Sequence, residues 1–238
     1  RLCRDWSSDV CSSDLKNRVV QIVASSGVRS PGSPGSEEAE LGAAHRREQM
    51  AAAEILGIAE TVFFDLPEGD LAYGSLSTLR VRLYRAFRNY QPQVLVTFAP
   101  GNDYDPHPDH HAVARLALEA ACLHPCGKLY PEERSLTYER PEWFLLLGCS
   151  PAGPYAVNDI SKSFAQKLGA LRCHASRTAG RWEQIESDLT AIAVQYGAQA
   201  GAKYGEAYLT LGWVHGELGR VSDETADEDK RGRSRAKS

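Results

Sequence analysis

The chain has 238 residues, 42% hydrophobic and 24% charged, with a formal net charge of −4. That length can bury one sizeable core, while the mildly acidic balance offers no broad cationic surface to a nucleic-acid backbone and suits a small neutral or polar substrate better. No apolar run approaches the roughly 20 residues of a membrane span, and six cysteines without a framework spacing fit free thiols in a reducing, cytoplasmic setting.

In chain order, residues 6–15 read WSSDVCSSDL, a near-repeat with neither helical nor strand periodicity and no signal-peptide apolar stretch. A back-translation of residues 5–15 resembles a common sequencing-library adapter, so residues 1–15 are expected to be foreign and the natural sequence to begin near Lys16. Residues 18–24 (RVVQIVA) form a β-branched run of strand length, and residues 25–36, rich in Gly, Pro and Ser, form a loop. Leu41, Ala44, Glu48, Ala52 and Ile55 then share one helical stripe, with Gly57 placed to stop the helix.

A short strand is expected over 61–64 and a turn over 66–71. A helix follows, starting near Ser75 or Ser77, marked by Leu76, Leu79, Leu83, Phe87 and Tyr90 and ended by Gln91-Pro92. Residues 94–98 (VLVTF) are continuously apolar, as in strands buried on both faces of a parallel sheet, and a loop leads from there into a helix over 109–123. Further strands are expected over 143–147, 155–157 and 204–211, and helices over 160–172 and 181–199. The alternation predicts a Rossmann-like α/β fold with a doubly wound, mostly parallel sheet, as a single domain over 16–218 with a charged, disordered tail over 219–238. Sites in such folds lie outside the carboxyl ends of the strands.

The loop after the VLVTF strand concentrates Asp103, Tyr104, Asp105, His107, Asp109, His110 and His111. Asp109 is expected to cap the following helix, with Pro108 holding the approach, so that His107 and His110 converge on one point. Converging imidazoles suit metal-assisted hydrolysis, in which zinc takes about three protein ligands and one water, and an imidazole stabilises the oxyanion. Cys122, His124 and Cys126 lack the second ligand pair of a structural zinc site and read as ordinary thiols around a histidine. Neither a Walker lysine nor a G-x-G-x-x-G is present, which leaves no nucleotide phosphate site.

Pro92-Gln93-Val94-Leu95-Val96-Thr97 followed by His107-Pro108-Asp109-His110 resembles the signature of the PIG-L/LmbE-like zinc-dependent N-acetyl-sugar deacetylases. Arg46-Arg47-Glu48, Leu66-Pro67-Glu68-Gly69, Asp159-Ile160-Ser161, Lys167, His174 with Ser176, and Tyr204 to Tyr208 agree with that family in order. The resemblance implies a zinc cofactor and hydrolysis of the acetamide of an amino sugar or related glycoside. It implies His110 as a zinc ligand, His107 as the imidazolium facing the tetrahedral intermediate and Asp109 as its orienter, with Arg46, Arg47, Glu68, Tyr104 and His174 towards the substrate.

The family's Ala-His-Pro-Asp-Asp-Glu, which supplies two ligands and the general base, does not occur in this sequence. The first strand and helix are therefore expected to be missing, the zinc site incomplete, the chain inactive by itself, and the apolar edges of 18–24 and 94–98 uncovered. Two other readings remain open. One is a carbohydrate-binding relative without catalysis; the other is a different metal hydrolase, such as a phosphoesterase, built on Asp103, Asp105, His107, His110 and His111. Oligomeric state is not legible.

Overall fold

A computed structural model describes residues 17–25, 38–100, 106–131, 140–147, 156–214 and 217–220. The expected foreign segment 1–15, Asp103, Tyr104, Asp105 and most of the tail lie outside the described residues. The chain divides into two compact units, one of residues 1–79 with 157–207 and one of residues 80–156 with 208–238.

In the first unit, β1 (Val20–Ser25) and β2 (Glu60–Leu66) pair in parallel and α1 (Glu38–Leu56) connects them, the βαβ arrangement that the alternating pattern predicts. Gly57 ends α1 at φ +68°, a left-handed turn that costs glycine little, and Ile58 N–H closes on Ala53 O at 2.9 Å. Strand β2 runs past the expected 61–64 to include Asp65. The pairing passes from Val23↔Phe63 to Ser25↔Leu66, so β2 carries one residue more than β1 over that step. Asp65 sits at this bulge with φ +51°.

Also in this unit are β5 (Ala156–Asp159), α4 (Phe164–Arg172), the one-turn helix α5 (Ala175–Thr178) and α6 (Trp182–Ala200). Ile160, Phe164 and Ala193 form a buried cluster, and the Phe164 ring stacks on Tyr204 at 4.2 Å between centroids. Glu48 of α1 ties α5 down: its carboxylate accepts from Ser176 N–H at 2.7 Å and from the Ser176 hydroxyl at 2.6 Å. The helix expected over 160–172 starts only at Phe164, because Ser163 and Phe164 N–H first close a turn on Ile160 O.

In the second unit, β3 (Val94–Phe98) lies parallel to β4 (Trp143–Leu147), and β4 lies antiparallel to β6 (Gly205–Val214). The sheet is therefore mixed rather than mostly parallel. Strand β7 (Glu217–Arg220) folds back antiparallel on β6, pairing Val214 with Glu217 and Leu211 with Arg220. Gly219 and Arg220, expected to open the tail, thus belong to a hairpin, whose ladder satisfies their backbone whatever their side chains.

The core of this unit gathers Leu83, Tyr84 and Phe87 of α2 (Leu76–Tyr90), the alanine-rich face of α3 (Pro108–Leu123), and Phe144, Leu145 and Leu146 of β4. Strand β3 departs from the expected burial on both faces: Thr97 is buried while Val96 is 41% and Phe98 36% exposed.

Candidate functional site

Helix α3 begins differently from the expectation. Pro108 occupies its first turn with no N–H to offer, and it holds the preceding His107 extended at φ −77°, ψ 114°. The first amide needing a partner is that of Asp109, and the His107 ring supplies it: Nδ1 accepts from Asp109 N–H at 3.2 Å. The cap is thus His107, not Asp109. Asp109, in the first turn, is only 3% exposed.

This cap fixes the ring. As an acceptor, Nδ1 carries no proton, so in this geometry the ring proton sits on Nε2, at the edge away from the helix. His107 stacks on His110 at 4.6 Å and 19° between planes, and His110 stacks on Phe98 at 4.4 Å and 8°. His110 thus stacks with both Phe98 and His107, its nitrogens at the ring edge. Strand β3 places the first ring and the start of α3 the other two, so the junction brings His107 and His110 together.

The family's zinc can be tested against these donors. His107 Nδ1 is spent on the helix, His110 can offer a nitrogen, and no group of three or more His, Cys, Asp or Glu side chains suited to a metal occurs among the described residues. The described residues therefore do not make up a catalytic zinc site, which takes about three protein ligands. The Cys122–His124–Cys126 segment adds none. His124 is fully buried with Nδ1 at 3.1 Å from both Ala120 O and Ala121 O, and burial pushes the Cys122 thiol pKa up, against the thiolate a metal needs.

The substrate-side residues sit in the first unit. A cavity of about 650 Å³ is walled by Val23, Ser25, Phe63 and Asp65 of the paired strands, His45, Arg46 and Gln49 of α1, and His174 and Arg177 around α5. The Arg46 guanidinium donates to Asp65 Oδ1 at 2.6 Å and lies 3.9 Å from the centre of the Phe63 ring. Burial pushes the His174 pKa down; Glu48 opposes the shift, and Arg177 and His45 add to it.

Arg46 and His174, chosen from the sequence, thus share one cavity. Arg47 is exposed and not among its lining residues, and Glu68 is buried in the turn after β2. Tyr104 lies outside the described residues. Sequence reasoning missed Asp65, Gln49 and His45. The helical stripe could have flagged His45 and Gln49, which stand at i and i+4 on α1. Nothing local marks Asp65.

The family model described as GlcNAc-PI de-N-acetylase, PIG-L, matches residues 12–121. Among curated proteins, the chain is 27% identical over 179 residues to diacetylchitobiose deacetylase of Thermococcus kodakarensis, covering 70% of this chain and 62% of that protein. It is 29% identical over 179 residues to 4-oxalmesaconate hydratase of Pseudomonas putida, covering 71% and 62%. The chain thus spans a little under two thirds of the length of these relatives. In fold it resembles N,N'-diacetylchitobiose deacetylase from Pyrococcus horikoshii, with a TM-score of 0.77 at 24% identity over 86% of this chain and 77% of that one. The likeness in His107-Pro108-Asp109-His110 and the motifs around it extends to a match with the PIG-L family model over residues 12–121, and the chain resembles PIG-L/LmbE-like proteins there.

Proposed function

We propose that the protein's chemistry is zinc-dependent hydrolysis of the acetamide of an N-acetylated amino sugar or related glycoside. The observation that carries this reading is the His107–His110 stack at the strand-to-helix junction, within the segment that matches the PIG-L family. A diacetylchitobiose deacetylase among the relatives supports the substrate class. In this reading His107 donates its Nε2 proton in a hydrogen bond to the oxyanion that forms from the amide carbonyl. The Asp109 backbone amide, rather than its carboxylate, orients that ring. His110 offers an edge nitrogen to the metal.

The described residues offer too few donors for a catalytic zinc, so in this reading the chain alone binds zinc poorly and releases little acetate. The test measures zinc content and acetate release from N-acetylglucosamine and N,N'-diacetylchitobiose at saturating zinc. Acetate release lost in both His107→Ala and His110→Ala supports the deacetylase, and one zinc per chain overturns the incomplete site. Addition of water to 4-oxalmesaconate without acetate release would replace the reading with a hydratase like the Pseudomonas putida relative. Saccharide binding with neither activity would favour a carbohydrate-binding relative.

A further inference from the structure

The one-turn helix α5 has little of its own to hold it in place. A single turn fixes several dihedrals for few hydrogen bonds, and its N-cap residue, His174, makes no side-chain cap bond. The Ser176 amide, in the first turn, therefore needs an acceptor from elsewhere. Glu48, 128 positions away in sequence, supplies it: its two carboxylate oxygens take the N–H and the hydroxyl of Ser176 at 2.7 and 2.6 Å. The His174 carbonyl is bound into the same turn, accepting from the N–H groups of Arg177 and Thr178 and from the Thr178 hydroxyl, each at 3.0 Å. Where α5 sits, His174 follows. Its ring, unused as a cap, lines the first unit's cavity together with Arg177.

We propose that Glu48 is a positioning residue of this cavity: by engaging both donors of Ser176 it fixes α5, and so holds the His174 ring and the Arg177 side chain at the cavity wall. The proposal rests on the amino-sugar reading above only for what fills the cavity. Glu48 is not among the lining residues, whereas His45 and Gln49, its neighbours on α1, are, so it acts through α5 rather than on a ligand. A neutral acceptor would pin the turn as well, more weakly; the carboxylate also brings a charge. Burial pushes the His174 pKa down, Glu48 opposes that shift, and Arg177 and His45 reinforce it. Arg46 of α1 and Asp65 of β2 line the same wall, and α4 presents the uncharged Leu171. Glu48 thus bears both on where the ring stands and on how readily it takes a proton.

The test is NMR on the full chain, following the His174 imidazole through a pH titration and hydrogen exchange at the Arg177, Thr178 and Ala179 amides, with His174→Asn identifying the ring signal. Glu48→Gln keeps an oxygen for Ser176 but loses the charge, and His174 is expected to hold its proton about threefold more weakly, the scale of one charge acting through a partly exposed site. Ser176→Ala keeps the charge but drops the hydroxyl, and the α5 amides are expected to exchange about tenfold faster, the worth of one bond to a charged group. Ser176→Thr retains both donors and should restore wild-type exchange. Calorimetric titration with N-acetylglucosamine adds a functional readout: Ser176→Ala should raise its Kd about tenfold, because ordering α5 then draws on the binding energy, and Ser176→Thr should restore it. A merely structural clamp would lower Tm in Glu48→Gln and Ser176→Ala with the His174 titration unchanged, and that result overturns the proposal. So does wild-type exchange of α5 in both Ser176→Ala and Glu48→Ala, or N-acetylglucosamine binding that neither variant alters. Absent binding by the wild-type chain counts against the amino-sugar reading alone, since the titration and the exchange still decide for or against Glu48.

Discussion

His107 shows how one side chain can hold a fold and serve a site at once. Because its Nδ1 caps α3, His107→Ala should cost about 1 kcal/mol in urea unfolding, the usual worth of a helix cap. His107→Asn, a better capping residue, should restore that stability while leaving acetate release or zinc uptake as low as in the alanine variant. Equal recovery of stability and function would mean that the ring matters only as a cap. His174 makes a second prediction at this scale. Its folded pKa is lowered, chiefly by burial, so the unfolded chain takes up the proton more readily. Its contribution is therefore present above the ordinary imidazole value of 6.5 and lost as pH falls through 6.5 towards the folded pKa. Stability measured by urea should decline over that window, and His174→Asn should flatten the decline. An unchanged slope in the variant would assign it to other groups.

Among the elements, β3 carries the clearest liability. Val96 and Phe98 are exposed on a strand whose described pairing is with β4 alone, an apolar edge of the kind that templates association. Concentrated samples should aggregate, and Val96→Lys should suppress this without lowering Tm; light scattering against concentration checks it. A monodisperse wild-type sample with one sharp unfolding transition would contradict the expectation. The turn into β6 is tight in another way. A Cβ on Gly205 would lie 2.6 Å from Gly197 N and 2.8 Å from Val157 Cγ1, so α6 and β6 approach at a spacing only glycine allows. Gly205→Ala should destabilise by about 3 kcal/mol, the upper end of overpacking costs, because the nearest atoms are backbone and cannot swing aside.

For the whole molecule the metal is the sharpest question. A zinc site occupied at 100 times its Kd would add about 2.7 kcal/mol of stability and lift Tm by several degrees in a chain of this size. With no group of three metal-binding side chains among the described residues, zinc should shift Tm by less than about 1 °C, and chelation should leave it unchanged. A rise of several degrees, reversed by a chelator, would mean that donors outside the described residues complete the site.

Periodicity and punctuation reveal the elements because they are local signals: the stripe from Leu41 to Ile55 ends at Gly57 where expected, and VLVTF and WFLLL are strands β3 and β4. The His-Pro-Asp-His segment is legible for the same reason, since its ligand-type side chains are neighbours in the chain and carry the family likeness with them. Other features depend on residues far apart in sequence. The mixed sense of the sheet depends on how β6 meets β4, and the cap on α3 passed from Asp109 to His107 because a proline removed the amide that a cap would first satisfy. The cavity joins positions 45, 65 and 174, and Asp65 enters it only through a bulge set by pairing between two strands. Short-range pattern thus sufficed for helices, strands and the histidine motif, whereas strand sense, the cap and the convergence of Arg46, Asp65 and His174 arise from packing and hydrogen bonding that no local window contains.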